Sequence, residues 1–467
     1  MRKRLLFLLV FVAVNCFSQN KQLLYNFTSV PQSLMTNPGA DFKYKFYFGV
    51  PLLSGMSFKI GSTGFSAYDL FANDGVDFNQ KLRKVVYEST RHDHAAVNEQ
   101  VEIFNGGIKL GDWLEDKGYL SFGMYQEFDF WSYMPKDLAI LALDGNQNYI
   151  GKSFKLSDLS LKTEVLTVLH LGYHKNISDQ LIVGARGKIY FSGFNATSTR
   201  NSGYVVTQPA NTTMYEQIID SHLALNTSGI SKYTDGNYNG DAATDVRKQL
   251  LFGGDLGLGV DLGFTYYPQK NTQITASIID LGFVHHSKDV KTYTYNGYYK
   301  YEGVNPNFSS TNDPNSVYDD FRDAISLDSV YNKYTTLRPV KLNASYQYSY
   351  GMTTDEDCVC IAGERRYKNA VGAQLFVMST PRLPITALTG FYQRNISNNL
   401  HLKATYTLDS YSYTNIGLGL SANLGRFNMY FMGDNLLAYH DVSKAKSLSF
   451  QFGFNFIFKD SNEPPNQ

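Results

Sequence analysis

The sequence lacks net charge, overall hydrophobicity and any familiar catalytic motif, and each absence excludes a class of protein. Its 42 basic and 42 acidic residues cancel, so we expect no nucleic acid among its partners. The mean hydropathy is −0.28, which argues against several transmembrane helices but not against a β-barrel, whose strands are only half apolar. No nucleophile elbow, P-loop or zincin pattern is present. We therefore predict no catalytic residue, no cofactor and no metal site.

The N-terminus carries an export signal. Residues 1–4 are basic, residues 5–14 are apolar, and Cys16-Phe17-Ser18 supplies a cleavage site before Gln19. This pattern predicts a secretory signal peptide over residues 1–18. The alternative is a membrane anchor, for which the apolar run is short. A lipoprotein would have a small residue in place of Asn15, so lipidation is not expected.

The last strand of the chain shows the clearest periodicity. Between Leu448 and Phe458, large apolar residues alternate with residues that are small or polar except for Ile457. Alternate side chains of a strand point to opposite faces. An inner strand of a soluble sandwich would show the same pattern, but a lipid-facing column of phenylalanines is typical of the strand that closes a membrane barrel. We expect it to pair with the first strand, and a charge at Phe454 to cost more than one at Asn455.

The rest of the chain favours the barrel over the sandwich. Connections alternate between long ones (62–99, 134–157, 198–248 and 287–335) and short ones, as in outer-membrane barrels. Short helices are predicted after Asp77 and at 137–143. About fourteen strands are predicted: 42–61, 100–111, 118–133, 158–174, 180–197, 249–267, 272–285, 336–350, 367–379, 384–394, 399–409, 413–424, 426–434 and 446–458.

The fold class is therefore all-β: a single antiparallel transmembrane β-barrel of about 14 strands, with long extracellular loops and short periplasmic turns. After the signal peptide (1–18), residues 19–41 form a periplasmic N-terminal lead-in or plug. The barrel spans 42–458, and 459–467 form a polar C-terminal tail. We expect the mature protein in the outer membrane, in contact with its lipid.

Strand parity places six charged residues in the lumen, on the third, fourth and fifth predicted strands. We expect Arg186 and Lys188 to pair with acids of the third or fourth strand, because buried charges need partners. These six side chains either bind or conduct a solute, or they form a network of ion pairs that braces or plugs the lumen. Three are acidic and three are basic, which favours the network of ion pairs. The six residues are Glu127, Asp129, Lys162, Glu164, Arg186 and Lys188.

Other polar residues have structural interpretations. Asp261, Asp280 and Asp434 are isolated in sequence, so we expect them to accept hydrogen bonds. His285-His286 ends the seventh predicted strand and has no third metal-ligand candidate nearby, so we expect a solvated turn there. Cys358 and Cys360 lie in a predicted periplasmic connection. A single intervening residue makes a disulfide between them strained and redox-labile, and a metal clip would need two more ligands.

Five short motifs give the chain a family resemblance: Asn37-Pro38-Gly39, residues 184–188 (GARGK), 259–263 (GVDLG), 279–283 (IDLGF) and 433–437 (GDNLL). With these motifs in this order, the chain resembles a family of Bacteroidota outer-membrane barrels of unknown function. That family is similar to the FadL fatty-acid transporters and to PorV and PorP/SprF of the type IX secretion system. The family pattern usually has Ala where this chain has Gly39. The resemblance implies a fold and a location but no reaction.

Two non-enzymatic functions follow as hypotheses. The first is a FadL/PorV-like channel that passes or binds a small solute, with hydrophobic solutes among the candidates and residues 19–40 or the loops as a plug. The second is a structural or docking component of a secretion or surface-assembly system, with loops that bind secreted or surface proteins. Inward glycines suit the first, and polar, Tyr- and Asn-rich loops suit the second.

Overall fold

The computed structural model describes residues 21–112, 115–199, 201–211, 214–234, 240–302, 323–352 and 367–459. Within these ranges the chain forms one closed antiparallel barrel of fourteen strands, as predicted. The predicted signal peptide, the two cysteines and the C-terminal tail beyond Lys459 lie outside the described residues.

Each barrel strand pairs with its neighbour in sequence, and two strands are interrupted. β1 breaks around Pro51, and β8 breaks at residues 338–340. The fourteen strands are β1 (Phe46–Gly49 and Met56–Ser62), β2 (His94–Asp112), β3 (Glu115–Tyr133), β4 (Leu161–Ser178), β5 (Leu181–Ser198), β6 (Asp255–Gln269), β7 (Thr272–His286), β8 (Tyr334–Leu337 and Lys341–Met352), β9 (Tyr367–Met378), β10 (Ile385–Ser397), β11 (Leu400–Asp409), β12 (Asn415–Leu424), β13 (Phe427–Asp434) and β14 (Ser447–Phe458).

The barrel closes where the last strand pairs with the first. Phe46 of β1 lies opposite Phe458 of β14, and Met56 lies opposite Phe452, so the predicted pairing is confirmed. Closure satisfies backbone groups that an open edge would leave bare. Phe456 points outward with 44% of its surface exposed, whereas Gln451 and Asn455 are buried inside.

Asn455 of β14 points into the lumen and contacts the N-terminal segment. Its amide accepts a hydrogen bond from Gln32 Nε2 at 2.9 Å and donates one to Asn428 Oδ1 at 3.2 Å, and the side chain has no exposed surface. The lumen is packed here rather than open, so a charge at Asn455 would be buried. The expectation that a charge costs less at Asn455 than at Phe454 stays a prediction.

The outer surface of the barrel is apolar along most strands. On β6 the outward residues Leu256, Leu258 and Leu262 are about half exposed, while Asp255 and Asp261 are buried inside. This alternation confirms the parity predicted from sequence and gives the barrel the lipid-facing band typical of transmembrane barrels.

The two ends of the barrel differ. At the turn end, β4 and β5, β6 and β7, β10 and β11, and β12 and β13 are joined by two-residue connections. At the loop end, long connections carry helices α1 (Ala67–Phe71), α2 (Phe78–Glu88), α3 (Lys136–Asp144), α4 (Ser231–Thr234) and α5 (Ala242–Lys248). Asp77 caps α2 by accepting a hydrogen bond from the Asn79 amide, so this helix and α3 confirm two sequence predictions. No described helix has the length and apolarity to cross a membrane.

At the loop end, an extension of the barrel sheet rises over residues whose sequence predicts loops. It continues the barrel wall, because Asn195 to Ser198 of β5 pair with the strand Tyr215–Ser228. Helices α2 and α3 pack on it through an apolar cluster that includes Val86, Ile140 and Phe154. Its strands are Ser153–Lys155, Ser202–Pro209, Tyr215–Ser228, Lys291–Tyr301 and Ile325–Val330. Short helical turns lie at Gln147–Tyr149, Gln249–Gly253, Leu436–His440 and Val442–Lys444.

The N-terminal segment, residues 21–41, runs through the lumen. It contains a 3-10 helix, Pro31–Met35, whose five residues are all buried. Leu23 and Phe27 pack against the inward Tyr430 and Met432 of β13. Leu34 belongs to a second cluster near the turn end, with Tyr47 and Tyr119. The N-terminal segment therefore occupies much of the interior of the barrel.

Candidate functional site

Two linked ion-pair clusters occupy the inner wall of β3 to β8. In the first, Arg186 and Lys188 of β5 share the carboxylate of Asp261 on β6. Arg186 Nη2 lies 2.5 Å and Lys188 Nζ 2.9 Å from Asp261 Oδ2. Lys188 also reaches Asp280 of β7 at 2.5 Å. These four side chains are at most 2% exposed, so the pairs form in a region from which water is largely excluded.

A backbone irregularity brings the two aspartates together. Asp280 has a positive φ of 63°, a conformation that Asp tolerates better than most residues. Its amide N–H donates to Asp261 Oδ1 at 2.7 Å. The register of β6 with β7 shifts between Val260 and Leu262, next to this bond. The β-bulge at Asp280 thus turns its carboxylate toward Lys188.

The second cluster is centred on Arg338, which sequence reasoning missed. Its guanidinium lies 2.5 Å from Glu164, 3.0 Å from Glu127 and 3.5 Å from Asp129. Lys341 joins the clusters, because its Nζ lies 2.8 Å from Asp280 Oδ2 and 3.4 Å from Glu127 Oε1. Arg338 sits at the break in β8 beside Pro339, where the two-residue period gives no guide to facing.

The structure brings five of the six predicted lumen residues into these clusters, but with different partners. Arg186 and Lys188 pair with acids of β6 and β7, so the expectation of partners on the third or fourth strand is wrong. The acids of those strands are instead engaged by Arg338 and Lys341. Lys162 stands apart: its Nζ donates to the Leu337 carbonyl at 3.2 Å, and no ion pair with it is found among the described residues.

Two wall cations hold the N-terminal segment by its backbone. Arg186 Nη1 and Nη2 donate to the carbonyls of Leu34 and Met35, both at 2.9 Å. Across the lumen, Lys403 of β11 is fully buried and donates to the carbonyls of Gln22 and Tyr25 at 3.2 and 2.5 Å. Cations suit carbonyls at the end of a helical turn, where the peptide dipoles present partial negative charge.

Close backbone contact fixes the end of the N-terminal segment. A Cβ added to Gly184 of β5 would lie 2.2 Å from the Pro38 carbonyl oxygen, and one added to Gly263 of β6 would lie 2.1 Å from Asn37 Oδ1. Asn37 Oδ1 also accepts the Gly39 N–H at 3.0 Å. Glycine is needed at both wall positions because no side chain fits between wall and segment. The Asn-Pro-Gly motif and the two glycine motifs are thus parts of one contact.

A cavity of about 80 Å3 lies between the N-terminal segment and the wall. Lys21 and Met35 of the segment line it, as do Lys341, Glu127 and Asp280 of the ion-pair clusters. On the side toward the loop end the lining is apolar, from Trp131, Phe376 and Met378, which belong to a cluster that also includes Ile385 and Tyr411. The cavity therefore combines a charged wall with an aromatic and aliphatic one.

An Asp-His-Thr chain lies at the loop end, outside the predicted set. His286 Nδ1 is 3.3 Å from Asp255 Oδ2, and its Nε2 is 2.9 Å from Thr336 Oγ1. His286 has no exposed surface, and the Asp255 carboxylate also accepts the amides of Ser287 and Lys288. The solvated turn expected at His286 is wrong. These bonds tie β6, β7 and β8 together, and the buried imidazole is closed to a substrate.

The sequence matches a model of one protein family, described as a family of unknown function (DUF5723), over residues 38–434. It matches no curated protein. The matched range includes the Pro38-Gly39 turn, both ion-pair clusters and Lys403.

Several solved membrane barrels are similar over nearly their whole length. The toluene transporter TodX of Pseudomonas putida is 9% identical, with 95% of this chain and 97% of that chain covered and a TM-score of 0.37. A FadL homologue of Pseudomonas aeruginosa is 8% identical, with 93% and 95% covered and a TM-score of 0.41. The translocator domain of the autotransporter NalP from Neisseria meningitidis is 8% identical, with 89% and 88% covered and a TM-score of 0.30.

Proposed function

The chain belongs to the DUF5723 family of unknown function, and from its own geometry we propose that it is a non-enzymatic outer-membrane barrel through which a small solute passes. The observation that carries the proposal is the lumenal cavity, enclosed between the barrel wall and an N-terminal segment that is held by hydrogen bonds. The proposal places the loop end outside the cell and the turn end in the periplasm.

The outer face of the barrel supports this location. Outward leucines on β6 and phenylalanines on β14 form an apolar surface that water would solvate poorly. A cleaved signal peptide over residues 1–18 would deliver the chain across the inner membrane. Lipid then covers the apolar face.

The N-terminal segment acts as a plug in this proposal. Its contacts with the wall include Arg186 and Lys403 on its carbonyls and Asn26 on Thr275 and Ser345. Hydrogen bonds of this kind contribute about 1–3 kcal/mol each, far less than a covalent bond, so the plug can move while the barrel stays closed. The charged clusters brace the wall behind it and keep the cavity's shape.

Loosening the plug tests the proposal. Lys403→Met removes the donor to Gln22 and Tyr25 and should raise the rate of arabinose-driven swelling of proteoliposomes by roughly tenfold, since one charged hydrogen bond is worth about that factor. Lys175→Met is the matched control, because Lys175 is exposed at the turn end. Swelling that is equally slow for wild type and both variants would contradict passage through the lumen.

A second function, docking of secreted or surface proteins, is favoured by a different observation. The sheet at the loop end leaves Tyr298, Leu327 and Tyr331 more than half exposed. Large apolar groups on such a surface are typical of protein-binding sites. A type IX secretion-like role would use this sheet rather than the cavity, and replacing the three residues with Ser would abolish partner binding without changing solute passage.

A further inference from the structure

We propose that the lumenal cavity binds a compact organic anion, with its acidic group between Lys21 of the plug and Lys341 of the wall. This inference rests on the proposed function and names its solute. Both lysines line the cavity, one on the part that moves and one on the part that does not.

The hydrogen-bond inventory of the cavity favours an anion over a cation. Each carboxylate oxygen of Asp280 and Glu127 already accepts a bond from a wall cation: Lys188 and Lys341 donate to Asp280, and Arg338 and Lys341 donate to Glu127. The side chains of Asp280 and Glu127 are at most 3% exposed. The third acid of the lining, Asp129, accepts from Asn98 Nδ2 at 2.6 Å and from Arg338 Nη2 at 3.5 Å. A cationic ligand would have to displace these partners.

The lysines, by contrast, keep donors for a ligand. An ammonium group has three N–H donors. Lys341 contacts Asp280 and Glu127 and keeps 23% of its side chain exposed. Lys21 donates to Gln100 Oε1, and among the described residues no carboxylate lies within ion-pair distance of it. Four lysines line the cavity (Lys21, Lys59, Lys188 and Lys341) against three acids (Glu127, Asp129 and Asp280), so the lining has one more basic than acidic group. An anion between Lys21 and Lys341 offsets that excess of positive charge.

The other wall and the volume define the rest of the ligand. Trp131, Phe376 and Met378 offer an apolar, partly aromatic surface that suits an aromatic or branched body. A cavity of about 80 Å3 has room for several water molecules. That space fits a benzoate-sized molecule, and a long acyl chain would not fit unless the plug moved.

Binding of such an anion would also connect the plug to the wall. A carboxylate that bridges Lys21 and Lys341 joins the plug to β8, next to the break at residues 338–340. Arrival and departure of the ligand are therefore coupled to the contact between the moving and the fixed parts. Lys21 acts as a specificity-determining residue of the solute site.

Trp131 provides a direct readout. The chain has two tryptophans, so Trp113→Phe leaves Trp131 as the sole tryptophan in the full-length protein. Benzoate should change its emission saturably, neutral benzamide and cationic benzamidine should bind at least about tenfold more weakly, and palmitate should not compete. Tighter binding of benzamide, benzamidine or palmitate would overturn the proposed class.

Variants at Lys21 locate the acidic group. Lys21→Gln should weaken benzoate binding by about tenfold, the value of one charged hydrogen bond, and leave benzamide binding unchanged. Lys21→Arg should restore benzoate binding, whereas Lys84→Gln, on the exposed face of α2, should have no effect. Equal benzoate affinity in wild type and Lys21→Gln would overturn the site.

Binding and passage fail separately. If benzoate does not bind the Trp113→Phe protein but proteoliposomes with Lys403→Met still swell, the proposed class of solute is wrong. The proposed passage through the lumen is then still supported. If benzoate binds as expected and no variant passes benzenesulfonate into liposomes, the site stands and the proposed passage is wrong.

Discussion

At the scale of the residue, the wall of the lumen is built from exact complements to the N-terminal segment. Arg186 bonds to the wall and to the N-terminal segment at once. Its Nε donates to Asp261 at 2.7 Å, and its terminal nitrogens donate to the Leu34 and Met35 carbonyls. Removal of Arg186 would leave a buried carboxylate short of a partner and release the 3-10 helix. The same side chain therefore joins wall stability to plug position.

Gly184 and Gly187 offer a matched test of the close contact at Pro38. Gly184→Ala places a methyl group 2.2 Å from the Pro38 carbonyl oxygen, whereas a Cβ at Gly187 of the same strand meets nothing within 4 Å. Such overpacking costs about 1–3 kcal/mol. We expect Gly184→Ala to displace the N-terminal segment and make it sensitive to added protease, while Gly187→Ala behaves as wild type.

Protease resistance that is the same in both alanine variants would contradict this contact. Heat-modifiable mobility on gels, measured in parallel, reports whether each barrel still folds, so a failure to fold is not mistaken for displacement of the segment.

At the residue scale, the sequence predicted correctly which side chains point into the lumen. It did not predict which of them form ion pairs with each other. Period-two alternation places Glu127, Arg186 and Lys188 inside, because facing depends only on local parity. Which acid meets which base depends on register, on the bulge at Asp280 and on the break at Arg338. None of these is visible in hydrophobic periodicity, and Arg338 next to Pro339 carries no parity signal.

At the scale of the element, β14 carries the lipid-facing column. Phe454→Arg places a charge on the outer face and should cost roughly 2–4 kcal/mol if the position lies near mid-bilayer. Phe454→Leu is the control, since it keeps an apolar group on the same face. The measurement is the yield of heat-modifiable, membrane-inserted barrel. Equal yields of the two variants would mean that this face does not meet lipid.

Strands of the barrel were easier to predict than strands of the loops. The fourteen barrel strands alternate between lipid and lumen, so each shows a regular apolar parity. Tyr215–Ser228 and Lys291–Tyr301 lie at the loop end and lack that regular apolar parity. Five of the eleven residues of Lys291–Tyr301 are tyrosines, and Tyr215–Ser228 mixes apolar and polar residues irregularly. Their pairing to β5 and to each other follows from continuation of the barrel wall, a tertiary effect that composition does not encode.

At the scale of the whole molecule, the fold is a closed wall around a segment of its own chain. The wall presents apolar side chains outward and ion pairs, glycines and tyrosines inward. The N-terminal segment crosses this interior from Lys403 on one wall to Arg186 on the other. Movement of the segment would change the interior without breaking the ladder between strands, which is the arrangement a channel requires.

Locking the N-terminal segment to the wall tests passage through the lumen most directly. Asn26 Nδ2 lies 2.6 Å from Ser345 Oγ of β8, so Asn26→Cys with Ser345→Cys, in a chain with Cys358→Ser and Cys360→Ser, offers a pair for a short, reducible thiol crosslinker. Proteoliposome swelling is measured before crosslinking, after it, and after reduction, with each single-cysteine variant as control. The account predicts that crosslinking stops swelling and that reduction restores it. Swelling that continues unchanged in the crosslinked protein would contradict it.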